Sequence, residues 1–255
     1  LAKVEELVAI GGTQILMQGG MNPELPLSWY EQLLAAIRER FPQVHIHAFS
    51  PPEFIEFVRF FDPPGASLGD KVRWVLERLK SAGLSSVPGG GGEIFAPAVR
   101  RKIGLGKCTA EAWLTTMYEA HRLGMHTSAT MMFGHIEGVA DRIHHMLLCR
   151  EWQERALRDF GAEAGGRDMA VIWPFQRENT PLGRAREWDR DSDAPFPGDV
   201  VATLDGRGVK EAHPEFGRFV RMSGATDYLR TQALSRLVID NIWSIGSSWV
   251  TMGPH

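Results

Sequence analysis

The chain has 255 residues, 44 % of them apolar and 23 % charged, with 28 Lys and Arg against 31 Asp and Glu for a net charge of -3. That composition belongs to an ordinary globular chain able to bury a large core without disulfides, and it excludes collagen-like, coiled-coil and disordered classes. The near-neutral balance argues against a general nucleic-acid binder, no apolar run reaches the roughly 20 residues of a membrane span, and no secretory leader pattern is present.

Leu1 opens on "LAKVEELVAIGG", which reads as the end of a helix already under way. Residues 14–17 form a short apolar strand closed by Gly19-Gly20. A helix is expected over 28–40, with Ser28 as N-cap and Trp29, Leu33 and Ile37 at helical spacing. "VHIHAF", 44–49, reads as a strand ended by Pro51-Pro52. The next helix carries Val72, Val75, Leu76 and Leu79 and stops at Gly83. "LSSVP", 84–88, is a weak strand leading into Gly89–Gly92, and Arg100–Lys107 reads as solvated surface. A helix over 110–123 and a strand over 126–134 follow. A helix over 138–159 is expected to place Ile143, Met146, Leu147 and Ala156 toward the core. A strand spans 169–175.

The rhythm then breaks. Residues 183–224 form an irregular insertion or lid-like segment, in which Asp205-Gly206 favours a small hairpin. A helix over 225–240 should turn Leu229, Ala233, Leu237 and Val238 to one side, and "SSWVTMG" reads as a last strand. Alternating strands and helices predict an α/β fold: a parallel sheet closed into a (β/α) barrel or partial barrel, with a flat doubly wound sheet left open.

In such folds ligands gather at the carboxyl ends of the strands. Those ends carry Gln18, Gly19 and Gly20; His47, Ser50 and Glu53; Gly90, Gly91 and Glu93; Thr130, Met132 and His135; Trp173, Gln176, Asn179 and Thr180; and Trp249 and Thr251. The glycine tract reads first as close backbone approach to a ligand, with a flexible loop or tight strand-to-helix turn as the alternative. It is neither a P-loop nor a dinucleotide fingerprint. His45 and His47 share one strand face but lack a local third metal ligand. Of Met131 and Met132 only one can face the core. Cys108 and Cys149 fit no metal spacing and read as free thiols of a reducing cytoplasm, and no metal site is expected in this chain.

Taken together, the blocks "GGTQILMQGGMNPELPLSWYEQLL", "HIHAFSPPE", "AGLSSVPGGGGEIF", "KCTAEAWL", "AHRLGMHTSATMMFGH", "WPFQRENTPL" and "DYLRTQALSRLVIDNI" with "SSWVTMG" resemble one family. That family is cyclic dehypoxanthinyl futalosine synthase, a radical S-adenosylmethionine (SAM) cyclase of menaquinone biosynthesis, and its sister aminofutalosine synthase shares the glycine-rich region. The resemblance implies a radical-SAM TIM-type barrel, here an incomplete core fragment over 1–255. It implies SAM and a [4Fe-4S] cluster as cofactors, dehypoxanthine futalosine as substrate, a flavodoxin or ferredoxin as reductant and a cytoplasmic location, with no nucleic-acid or membrane partner.

By the same resemblance Gln18, Gly19, Gly20, Ser50, Glu53, Gly90, Gly91, Glu93, Thr130 and Met132 match cofactor-side positions. His47, His135, Trp173, Gln176, Asn179, Thr180, Trp249 and Thr251 look like substrate-side positions, and Glu53, Glu93 and His135 are candidates for catalysis. The family's Cys-x-x-x-Cys-x-x-Cys loop is absent from this sequence, so the chain alone is expected to be inactive. Two other readings stay open: a cluster-free α/β protein that binds an adenosyl ligand, and a barrel hydrolase or aldolase pairing Glu93 with His47 or His135.

Overall fold

A computed structural model describes residues 1–19, 22–103, 107–162, 169–176, 180, 182 and 223–247. The order is α1 (Ala2–Ala9), β1 (Gln14–Met17), α2 (Leu27–Arg40), β2 (His45–Ala48), α3 (Pro51–Phe61), α4 (Leu68–Ala82) and β3 (Ser86–Val87). Then come α5 (Pro97–Ile103), α6 (Ala110–Arg122), β4 (His126–Phe133), α7 (Val139–Phe160), β5 (Met169–Pro174), α8 (Ala225–Val238) and β6 (Ser244–Ser247). The strands form one sheet in chain order, and β1 through β4 pair parallel. Among the described residues no helix is long and apolar enough to cross a membrane.

The chain divides into two compact units. The first holds residues 1–91, 111–129 and 152–169. Its core joins Ile46 and Ala48 of β2 to Leu34, Phe54, Phe57, Val75, Leu76 and Leu79 of the helices, all fully buried. Such burial contributes about 1.5–3 kcal/mol for each large aliphatic or aromatic side chain. The aromatic rings of Tyr30, Phe49, Phe54 and Phe57 meet edge to face, with centroids 4.9–6.5 Å apart.

The prolines that end β2 do more than stop a strand. Pro51 and Pro52 occupy the first turn of α3, where their missing N–H groups have no intrahelical partner to lose. That helix was absent from the sequence expectation. The buried stripe of α2 is Leu27, Tyr30, Leu34 and Ile37, one position off the expected Trp29–Leu33 register, and Trp29 is exposed. Its N-cap is Pro26, so Ser28 lies inside the helix.

The second unit holds residues 92–110, 130–151 and 170–255. Here three expectations are overturned. The tract from Arg100 is not solvated surface at its start, because Arg100 lies in α5 and is only 7 % exposed. The inward side of α8 is Tyr228, Thr231 and Ser235, while Leu229 and Leu237 are 66 % and 76 % exposed. Buried Arg142 of α7 explains the inversion. Its guanidinium donates to Asp227 at 2.8 Å and Thr231 at 2.9 Å, so α8 must turn a polar stripe inward. Leu147 is likewise exposed, whereas Met146 and Ala156 are buried. Met131 faces the core. The last described strand is Ser244–Ser247; the expected strand continues beyond the described residues, as do the insertion over 183–222 and its hairpin.

This polar docking sets a clear expectation. Arg142→Ala leaves buried Glu137 without its cation and should destabilise the fold by about 3–5 kcal/mol in urea unfolding. Leu237→Gln, on the exposed face, should stay within about 0.5 kcal/mol of the parent.

Candidate active site

Within the first unit, two strand ends converge on one carboxylate. Glu53 is the third residue of α3 and is almost fully buried. Its Oε1 accepts the N–H of Gly19 after β1 at 3.2 Å. Its Oε2 accepts both the N–H and the hydroxyl of Ser50, at 2.7 and 2.8 Å. The pairing with Ser50 is a capping box, which a Ser-x-x-Glu sequence encodes locally. The bond to Gly19 is tertiary and fastens the end of β1 to the start of α3. Phe49, between β2 and this cap, adopts φ 59, a conformation rare outside glycine.

Gly90 closes the same cluster. A Cβ there would fall inside contact distance of Gln18 Nε2 and 3.0 Å from the Ser50 side chain. Gly91, at φ +79, lies against Pro52 with no space for a side chain. The tract is held from behind: the Trp113 indole donates to the Gly90 carbonyl at 3.0 Å, and the Gly89 N–H donates to the Ser128 hydroxyl at 3.0 Å. It is therefore an ordered turn with its backbone fixed. Gln18, Gly19, Ser50, Glu53, Gly90 and Gly91 are brought together as the strand-end reading expected; Gly20 lies outside the described residues.

In the second unit Glu93 follows directly, with φ 42. It is 7 % exposed and pairs with Lys107 through Oε1, while its buried Oε2 has no hydrogen-bond partner among the described residues. Arg100 holds the flanking backbone. Its guanidinium donates to the carbonyls of Gly92 at 2.8 Å and Ile94 at 3.5 Å, and reaches the Cys108 carbonyl at 2.6 and 3.0 Å. The Glu93 carbonyl accepts the N–H of Met132 at 3.0 Å, which sets Met132 beside this turn. His145 is buried in hydrogen-bonding contact with the Thr130 backbone and stacks on Phe95, with centroids 4.0 Å apart.

His135 is neutral in character, because burial pushes its pKa down. Its Nε2 donates to the Met132 carbonyl at 3.1 Å, and its Nδ1 accepts the Ile136 N–H at 2.7 Å. Glu137 accepts the Gly134 and His135 N–H groups and the Arg142 Nε. Glu93 thus bonds Lys107 and His135 bonds its own loop, while the Glu93 charge acts on His135. Phe175 packs edge-on to His135, Trp173 is half-buried on β5, and the Gln176 amide turns back to the Pro174 carbonyl. Thr180 is half-buried; Asn179, Trp249 and Thr251 lie outside the described residues.

Sequence reasoning missed Trp113, Ser128 and Arg100, because each acts from a helix or strand whose own pattern shows nothing unusual, and Lys107, which acts from the connection between α5 and α6. Only the buried glycine tract, which needs its carbonyls and N–H groups satisfied, could have prompted the search. Cys108 and Cys149 are free thiols, and burial pushes the Cys108 pKa up, which keeps it protonated and unreactive. Among the described residues no group of three His, Cys, Asp or Glu side chains could hold a metal ion.

Two outcomes follow from this geometry. Gly91→Ala combines a clash with a positive φ and should cost about 1–3 kcal/mol by urea unfolding. Burial, then the charges of Arg100 and His144, pushes the His145 pKa to about 3; burial, then His45, pushes His47 to about 4. Both are neutral in the fold and take up a proton on unfolding below about pH 6.5. Their contribution is complete above that value and is lost as pH falls toward the folded values. Stability should therefore decline between pH 6.5 and 4, and His145→Gln should flatten that slope by up to about 1.4 kcal/mol per pH unit.

Residues 1–149 match the radical SAM superfamily model. Over all 255 residues the chain is 35 % identical to cyclic dehypoxanthine futalosine synthase of Halalkalibacterium halodurans, covering 55 % of that protein. It is 34 % identical over the same span to aminodeoxyfutalosine synthase of Thermus thermophilus, covering 56 %. Over 183 residues, 72 % of the chain, it is 36 % identical to a 5-amino-6-(D-ribitylamino)uracil–L-tyrosine 4-hydroxyphenyl transferase of Methanosarcina mazei, covering 45 % of it. The chain spans about half the length of the curated relatives it matches.

The family implies two resident groups, and the residues present treat them differently. For SAM each unit taken by itself offers suitable chemistry: in the second, the buried Glu93 Oε2, without a hydrogen-bond partner among the described residues, suits a hydroxyl or ammonium donor, and in the first, Gly90 and Gly91 present backbone without side chains. For a [4Fe-4S] cluster the fit fails, because two cysteines do not supply three thiolates. The match over more than half its length, with this parallel α/β architecture, places the chain in the radical SAM superfamily.

Proposed function

We propose that this chain is the SAM- and substrate-holding part of a cyclase that converts dehypoxanthine futalosine to cyclic dehypoxanthine futalosine in menaquinone biosynthesis. The observation that carries this reading is similarity over the whole of this chain to a synthase of that name, in a chain whose first two strand ends are joined by one carboxylate with the glycine tract packed against them. SAM, when bound and reduced by one electron, supplies the hydrogen-abstracting chemistry of the family; a flavodoxin or ferredoxin in the cytoplasm is the proposed reductant.

The chain's own residues orient and enclose. Gln18 and Gly19, with Gly20, receive the aminoacyl end of SAM. Ser50 and Glu53 hold the strand ends that frame it, and Glu93 Oε2 accepts a ribose hydroxyl or the ammonium. Gly90 and Gly91 give the backbone close approach, and Thr130 and Met132 lie against the adenosyl group. His47, His135, Trp173, Gln176, Asn179, Thr180, Trp249 and Thr251 line the substrate side. Of the three candidates for catalysis, Glu53 has both oxygens engaged by Gly19 and Ser50, and His135 is satisfied by its loop. Glu93 alone keeps an acceptor open, so it is the preferred one.

A second reading, an aminofutalosine synthase-like enzyme, is favoured by the equal coverage of the Thermus thermophilus relative. The deciding experiment uses the whole protein containing this chain, reconstituted anaerobically with iron and sulfide and given each synthase's substrate. The cyclase reading expects 5'-deoxyadenosine and a cyclised product from dehypoxanthine futalosine only. Turnover of the sister substrate alone would transfer the assignment, and 5'-deoxyadenosine from neither would defeat both. Glu93→Gln should weaken SAM binding about tenfold or more by equilibrium dialysis, the expected loss of a hydrogen bond to a charged acceptor.

A further inference from the structure

In the first unit a polar strip crosses the sheet. Residues paired in register on parallel strands project to the same face, so Gln14 and His45, and in a second row His47, Ser86 and His126, share one side. Ile46 and Ala48 fill the core on the other. On the polar side the buried Ser86 hydroxyl sits between two imidazoles. His45 Nε2 and His47 Nδ1 each lie 2.6 Å from its oxygen.

A hydroxyl has one hydrogen. At most one of the two facing nitrogens can accept from it, so at least one must carry its own proton and donate. The state in which His45 Nε2 and His47 Nδ1 are both bare is therefore excluded while both contacts persist. We propose that Ser86 is a positioning residue that locks the tautomers of His45 and His47 to one another, so that a bare facing nitrogen on one histidine requires a proton on the facing nitrogen of the other. When His47 Nδ1 is bare, Ser86 donates to it and accepts from His45 Nε2–H. His47 then offers an N–H at Nε2.

The groups facing the pair are few. Burial holds both imidazoles toward the neutral form. The Arg38 guanidinium of α2 and His126 of β4 reinforce this at His45, as His45 itself does at His47. Arg38 is tied to the Ser85 hydroxyl at 2.7 Å and the Gly83 carbonyl at 2.9 Å, so its charge is fixed in place. Two neutral imidazoles joined through one hydroxyl suit a ligand group that hydrogen-bonds without charge, such as a sugar hydroxyl. This functional consequence rests on the substrate-side reading of His47; the tautomer lock does not.

The test is the tautomeric state of both histidines by long-range ¹H–¹⁵N spectroscopy on the full chain, from pH 8 to 5.5. At pH 8 at least one Ser86-facing nitrogen should be protonated, and wherever His47 Nδ1 is bare His45 Nε2 should carry a proton. Ser86→Ala should shift the His47 tautomer ratio, and Ser86→Thr should restore it. Both facing nitrogens bare in the wild type, or a ratio unmoved by Ser86→Ala, would overturn the lock. If Ser86→Ala does not fold, the wild-type spectra decide alone. In the whole enzyme Ser86→Ala should raise KM for the nucleoside substrate several-fold with a smaller effect on kcat. An altered ratio with unchanged KM would overturn the substrate-side role of His47 and leave the lock standing.

Discussion

The Glu53 carboxylate is the constraint on which the first unit's strand ends depend. A parallel strand that stops must hand its backbone to a turn, and a buried turn must find partners for its N–H groups. Glu53 provides them for two turns at once, receiving Gly19 after β1 and Ser50 after β2. With those ends fixed, Gln18 and Ser50 leave room beside them only for a residue without a side chain, and Gly90 occupies it. Trp113 and Ser128 then hold the tract from the opposite side. Removing the carboxylate would release not one contact but a chain of close approaches.

The second unit solves a related problem with cations. Arg100 gathers the carbonyls on either side of Glu93, and Arg142 gathers Glu137, Asp227 and Thr231. Arginine suits this work because its planar fork offers five donors in fixed directions and stays charged when buried. Glu93 is thereby held at an unfavourable φ with one carboxylate oxygen unanswered among the described residues. A strained backbone and an unsatisfied buried acceptor at one residue both cost stability, and they persist where the surrounding structure over-determines them. Their coincidence at a strand end is the physical reason for placing ligand contact there.

Much of this was legible in the residues. Short apolar strands alternating with helices called for a parallel α/β fold, and the polar and glycine-rich strand ends marked where ligands would gather. The motif blocks pointed to the radical SAM family. Less was legible where one element's face depends on another's charge. The apolar spacing of Leu229, Ala233 and Leu237 suggested the wrong side of α8, because spacing does not reveal that Arg142 waits beneath it. Pro51-Pro52 looked like an end and proved also to be a beginning, since the first turn of a helix tolerates proline as well as a strand terminus does.

The sequence by itself determined the class of fold, the polar and glycine-rich ends of the strands and the lack of three thiolates. Those rest on local periodicity, on residue chemistry and on counting. Only the tertiary structure decided that Glu53 spans two strand ends, that Arg100 is buried, and that Ser86 joins two histidines. Each of these contacts links residues whose own neighbourhoods contain no trace of the partner. Hydrogen-bond satisfaction of buried groups is settled by what folding brings alongside, and a linear pattern does not record it.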